Sequence, residues 1–210
     1  TASNQLPLNL EPIENETSQW QTYRHSFENN LGCVLPISET EINIISLWIE
    51  SEEEKATEMT ISLFSLDNLW SIQNKNEKIF SVSQKIQNHK NGYVTFACNT
   101  QVSPNRFYFL TVTCNSKKVF WRYRRNHPTG VFSVFQSPTS GFWKYLRHQR
   151  VEGFETFCLK ISPTQFPFQP KNIISGETRP FHFTNIFRAP HNNNNPAWVK
   201  LDWQKNITIN

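Results

Sequence analysis

Residues 93–125 alternate with period two three times in succession, and few arrangements other than paired β-strands can use such a pattern. Val94, Phe96 and Cys98 alternate with Tyr93, Thr95 and Ala97. After a turn at 102–105, Tyr108, Leu110, Val112 and Cys114 alternate with Phe109, Thr111 and Thr113. A second turn at Asn115 and Ser116 leads into Val119, Trp121 and Tyr123. β-Branched and aromatic residues at this spacing favour strands, whose side chains point to opposite faces in turn. Three such runs joined by short polar turns predict an antiparallel meander with one buried face.

The rest of the first 165 residues reads in the same way. Residues 23–27 form a short strand. Residues 31–37 read as a loop or edge segment, because Pro36 has no N–H for a central ladder. Residues 42–50 are the clearest early strand, with Ile45, Leu47 and Ile49 on one face and Ile44, Ser46 and Trp48 on the other. The acidic run 51–58 has no apolar stripe and reads as a solvated hairpin connection, after which 60–66 pairs back. Residues 79–82 make a short strand, and Asn91-Gly92 closes a turn. Residues 131–135 add a strand, 142–149 a strand or one helical turn, and 155–161 a closing strand. No amphipathic helix occurs, which excludes folds built from βαβ units.

The expected fold is therefore all-β: an antiparallel jelly-roll-like β-sandwich over 18–162, followed by a partial second β-sandwich. An immunoglobulin-like strand order is the alternative. The core should include Leu47, Trp48, Leu63, Phe96, Leu110, Val112 and Phe157. Residues 1–17 read as an N-terminal arm anchored by Leu6, Leu8, Leu10 and Ile13. Pro163, Pro167 and Pro170 make 163–171 a stiff linker. Residues 172–210 then begin a second domain too short to close by itself.

Chemistry is sparse. No G-x-S-x-G, H-x-H or H-E-x-x-H occurs, and the six histidines are scattered. Asp67 and Asp202 are the only aspartates. Glu152 and Glu155 flank Gly153, but a surface turn explains them as well as a glycosidase pair does. No catalytic residue and no metal ligand is assigned. Cys33, Cys98, Cys114 and Cys158 lack metal spacing; buried free thiols and two disulfides both remain open. No apolar run is long enough to span a bilayer. Thr1 follows no initiator Met or leader, so the chain reads as a processed or cut-out piece. The expected parent is a larger, exported protein, extracellular or periplasmic, with the rest of that polypeptide or a cleaved fragment as partner.

One mixture of residues suggests a ligand. Trp121 and Tyr123 stand among Lys117, Lys118, Arg122, Arg124 and Arg125, and Trp143, Lys144, Tyr145, Arg147, His148 and Arg150 repeat the theme. Guanidinium forks match carboxylates and sulfates, and aromatic rings stack on sugar faces or bases. The candidate binding residues are Trp121, Arg122, Tyr123, Arg124, Trp143, Lys144 and Arg147, with an acidic glycan as ligand. A net charge of only +4 argues against a nucleic-acid specialist. Alternation places Arg122 and Arg124 opposite Trp121 and Tyr123, so a solvated arginine face over a buried Trp121 is the alternative.

The tail has a pattern of its own: Asn172-Ile173, Gly176, Arg179-Pro180, then Asn185-Ile186-Phe187, then Pro196 through Asp202. It resembles the first strands of a discoidin-like, galactose-binding-like jelly roll. The whole arrangement resembles the C-terminal β-sandwich region of bacterial FAD-dependent oxidoreductases. That resemblance implies FAD in a parent protein but not in this chain, which has no strand-linked G-x-G-x-x-G. The expected function is a non-catalytic accessory domain binding carbohydrate. Two alternatives stand beside it: a structural part of such an oxidoreductase contributing to its substrate cleft, or a structural capsid- or adhesin-like module.

Overall fold

The computed structural model describes residues 8–11, 24–68, 71–125, 131–146 and 155–166. Among them the chain forms β1 (Arg24–Ser26), β2 (Leu31–Ile37), β3 (Glu41–Ser51), β4 (Thr57–Ser65), β5 (Lys78–Ile86) and β6 (Asn91–Gln101). It continues with β7 (Arg106–Cys114), β8 (Val119–Arg125), β9 (Phe132–Gln136), β10 (Trp143–Tyr145), β11 (Glu155–Phe157) and β12 (Leu159–Ser162). No helix forms among the described residues. The tail pattern at 172–210 lies outside them.

All pairing is antiparallel, in two sheets that face each other as a β-sandwich. The first sheet runs β1-β8-β3-β12, with β6 also on β3 and β11 also on β8. The second runs β10-β9-β2-β7-β4-β5. Consecutive strands therefore seldom pair: β6 and β8 lie in the first sheet, and β7 lies between β2 and β4 in the second. The expected three-strand meander is corrected to strands that cross between sheets at each turn. Alternation fixes which residues share a face, but it carries no information about the neighbouring strand. A sign of the true arrangement stood in β7, where Phe107 and Phe109 are buried as fully as Leu110 and Val112. Such two-sided burial belongs to a central strand.

The connection 52–56 likewise links the two sheets, since β4 pairs β5 and β7 rather than β3. β2 is a buried central strand, not a loop. It tolerates Pro36 because β9 reaches only Leu31 to Val34, leaving β7 as the sole strand partner at Pro36. Gly32 is required there. A Cβ at this position would stand 2.6 Å from the Leu110 carbonyl oxygen and 2.9 Å from the Phe109 ring.

The main core lies between the sheets. Ile45, Leu47, Ile49, Val94, Phe96 and Trp121 from the first sheet meet Leu35, Ile61, Leu63, Leu110 and Val112 from the second. Leu8 and Leu10 join it, and Asn9 bridges Lys160, so this part of the arm packs as a strand-like edge. Residues 163–166 also pack back on the sandwich. The buried Gln165 accepts the N–H groups of Ser38 and Glu39 at 2.9 and 2.8 Å. Of the expected core residues Trp48 is the exception. It is half-buried on the outer face of β3, edge-on to Tyr93 at 4.8 Å, because β3 uses Leu47 and Ile49 for the core.

A fork organises the first sheet. β8 pairs β3 through Val119–Trp121, then pairs β11 through Tyr123–Arg125. β12 takes the place on β3 from Ile44 to Leu47. Cys158 stands between β11 and β12 with its N–H bonded to Arg122 O at 2.8 Å. Its carbonyl accepts Trp48 N–H at 3.1 Å and the Trp121 indole at 2.9 Å. The indole also stacks on Phe157 at 4.1 Å between centroids.

Trp121→Ala should cost about 3–5 kcal/mol in urea unfolding, the range for deleting a large buried aromatic. Trp48→Ala should cost clearly less. Equal costs would contradict the assignment of faces.

Candidate functional site

The structure separates the residues that the sequence suggested. Trp121 and Tyr123 face the core; Trp121 is fully buried and Tyr123 stacks on His25 at 4.7 Å. Neither ring offers a face to a sugar. Arg122 lies on the outer face, 3.3 Å from Glu50. Arg24, its register partner on β1, reaches the same carboxylate at 3.2 Å and Glu52 at 2.8 Å. The two guanidinium groups and two carboxylates neutralise one another. Arg124 is part-buried, with an Nε that has no hydrogen-bond partner.

Trp143 sits on the other sheet, in a second apolar cluster with Val34, Phe64, Leu66, Ile72, Phe107, Phe109 and Val134. Lys144 is exposed at the edge strand β10. Arg147 lies outside the described residues. Of the carboxylates considered for acid–base chemistry, Glu155 is buried and bonded to His25 at 2.8 Å, and Glu152 lies outside the described residues.

A different place offers unneutralised charge. β5 pairs with β4 alone and β6 with β3 alone, so both are edge strands, and they flank the same side of the sandwich. Between them runs a groove of about 290 Å³ lined by Gln84, Lys85, Gln87, Lys90, Tyr93 and Thr95. The connection at 87–90 shapes its end, with His89 at φ 50° and Gly92 at φ 140°. At Gly92 the backbone conformation calls for glycine rather than the space, since a Cβ there would stand in ordinary contact with the Lys90 ammonium at 3.8 Å.

Tyr93 forms the aromatic part of the wall. Its ring meets the edge of Trp48 and carries the Lys160 ammonium at 4.4 Å. Lys160 is itself paired with Glu11. Burial, then the Glu11 carboxylate and Cys158, push the Tyr93 phenol up, so it stays a neutral hydrogen-bonding group.

Among the described residues neither Lys85 nor Lys90 forms an ion pair. Glu58 stands across from Lys85 in register. The wider reason is visible in the sequence: no Asp or Glu occurs between Glu77 and Glu152. Carboxylates can reach that stretch only from other strands, as Glu50 does for Arg122. Neither lysine forms an ion pair with the carboxylates nearest it in the fold, Glu58 across from Lys85 and Glu50 and Glu52 on either side of the Ser51 N–H that bonds the Lys90 carbonyl. That acid-free stretch was the signal by which the groove lysines could have been found.

The cysteines are four free thiols rather than two disulfides. No group of three or more potential metal ligands occurs among the described residues. No helix among them is long and apolar enough to cross a membrane. No family model, curated protein or solved structure matches this chain.

Burial pushes the thiols up: Cys98 to about 11, against a lowering bond to the Ile45 backbone, and Cys158 to about 12, against the lowering charges of Arg124 and Arg122. A raised pKa leaves little thiolate at pH 8, on the order of 10⁻³ and 10⁻⁴ of each. Native protein should therefore resist iodoacetamide at pH 8, and all four cysteines should label once it is unfolded. Rapid labelling of native Cys158, read by mass spectrometry, would contradict this burial.

Proposed function

We propose that this chain is a non-catalytic accessory β-sandwich, jelly-roll-like in the way successive strands cross between sheets, that binds an acidic glycan in the groove between β5 and β6. One observation supports the reading above the others. Lys85 and Lys90 stand unpaired beside the amides of Gln84 and Gln87 and the ring of Tyr93. Ammonium groups attract carboxylate and sulfate, amides exchange hydrogen bonds with sugar hydroxyls, and a tyrosine edge offers apolar contact to a sugar ring. The arginine row of β8 is a weaker candidate, because its charge is matched by Glu50 and Glu52.

Calorimetric titration with a sulfated, a carboxylated and a neutral oligosaccharide tests the proposal. The two anionic ligands should bind at low salt and weaken as salt screens the lysines. Lys85→Gln with Lys90→Gln should abolish binding, while Arg122→Gln should leave it intact. Binding that follows Arg122 instead, or no binding of any anionic ligand, would overturn the reading.

A further inference from the structure

The outer face of the second sheet holds an arrangement that the glycan groove does not use. Phe64 on β4, Phe109 on β7 and Trp143 on β10 converge there, with Phe109 and Trp143 perpendicular at 4.9 Å between centroids. The Lys75 ammonium lies 4.3 Å from the Phe64 centroid, 5.9 Å from Phe109 and 5.8 Å from Trp143. All three distances fall within the roughly 6 Å reach of a cation–π contact. We propose that this cradle is a binding site for a quaternary or N-methylated ammonium, with Lys75 as its displaceable internal occupant.

Three observations support displacement. Lys75 arrives on the connection between β4 and β5, not on a strand. That connection is anchored to the cradle two residues earlier: the Gln73 amide accepts Trp143 N–H at 2.9 Å and donates to Trp143 O. Lys75 can therefore leave while the rings stay in place. Second, Lys75 forms no ion pair among the described residues.

Third, its cation is poorly compensated where it sits. Desolvation, then the charge of Lys78, lowers its pKa. Lys78 itself lies 5.9 Å from the same Phe64 ring. A primary ammonium gives up strong hydration to enter such a site, whereas a quaternary ammonium has little to lose. The ligand class follows from that difference.

The test is the indole N–H resonance of Trp143, assigned by its loss in Trp143→Phe. Choline and tetramethylammonium are titrated against 3,3-dimethyl-1-butanol, the neutral analogue of choline. In wild-type protein both cations should shift the resonance saturably and the neutral alcohol should not. Lys75→Gln should tighten the cations by about tenfold, as expected when a competing internal cation is removed. Phe64→Leu in the Lys75→Gln background should reverse the gain. If that double variant does not fold, choline against the neutral alcohol on Lys75→Gln alone decides the matter. Equal binding of the neutral alcohol would reduce the cradle to an apolar patch. Absence of any cation shift in a folded Lys75→Gln protein would overturn the proposal outright.

Discussion

The indole of Trp121 donates to the Cys158 carbonyl, and through that bond the first sheet holds together where its strands part. β8 needs two different neighbours along its length, β3 and then β11. A strand that changes partner leaves backbone groups open at the point of change, and open buried groups cost about 1–3 kcal/mol each. Cys158 supplies them: its N–H serves Arg122, and its carbonyl serves Trp48 N–H and the indole. The ring stack of Trp121 on Phe157 fixes β11 against the core at the same place. From β11 the Phe157 N–H reaches Ser133 Oγ on β9, which ties the first sheet to the second.

The placement of charge follows from this framework. The fork brings β1, β8 and the end of β3 side by side, so Arg24, Arg122, Glu50 and Glu52 meet on one outer face. A surface row of this kind contributes modestly to stability and leaves little field for an anionic ligand. β6 lies on the other side of β3 from β8, and β5 faces it from the second sheet; Glu50 and Glu52 pair with Arg24 and Arg122 rather than with Lys85 or Lys90. Two lysines there form no ion pair among the described residues, and the gap between two edge strands gives them a concave setting. The same edge is protected against strand addition by the charge of Lys85 and by the irregularity of β6 at Asn99, whose φ of 45° falls where the register against Ile42 and Ile44 shifts.

Much of the fold was legible in the sequence, and the limit of legibility has a physical cause. Period-two alternation identified β3, β6, β7 and β8 and the inward faces carrying Leu47, Phe96, Leu110 and Val112. It did not show that β7 belongs to the other sheet, because pairing depends on long-range packing. Trp48 was misplaced since both faces of β3 are apolar enough to be buried. Pro36 suggested an edge and instead marks a spot where a central strand runs past the end of one neighbour. The arginine row looked like a site because Arg122 and Glu50 are distant in sequence, and only the fork brings them together. The groove itself was not legible because it is made by two strands from different sheets.

Hydrogen exchange at the fork tests this framework most directly. The Trp121 indole N–H and the Cys158 amide should exchange only when the whole domain unfolds, with the same urea dependence as the amides of Leu47 and Leu110. Exchange at those two groups orders of magnitude faster than at Leu47 and Leu110 would show that the sheet does not depend on the fork, and would contradict the account.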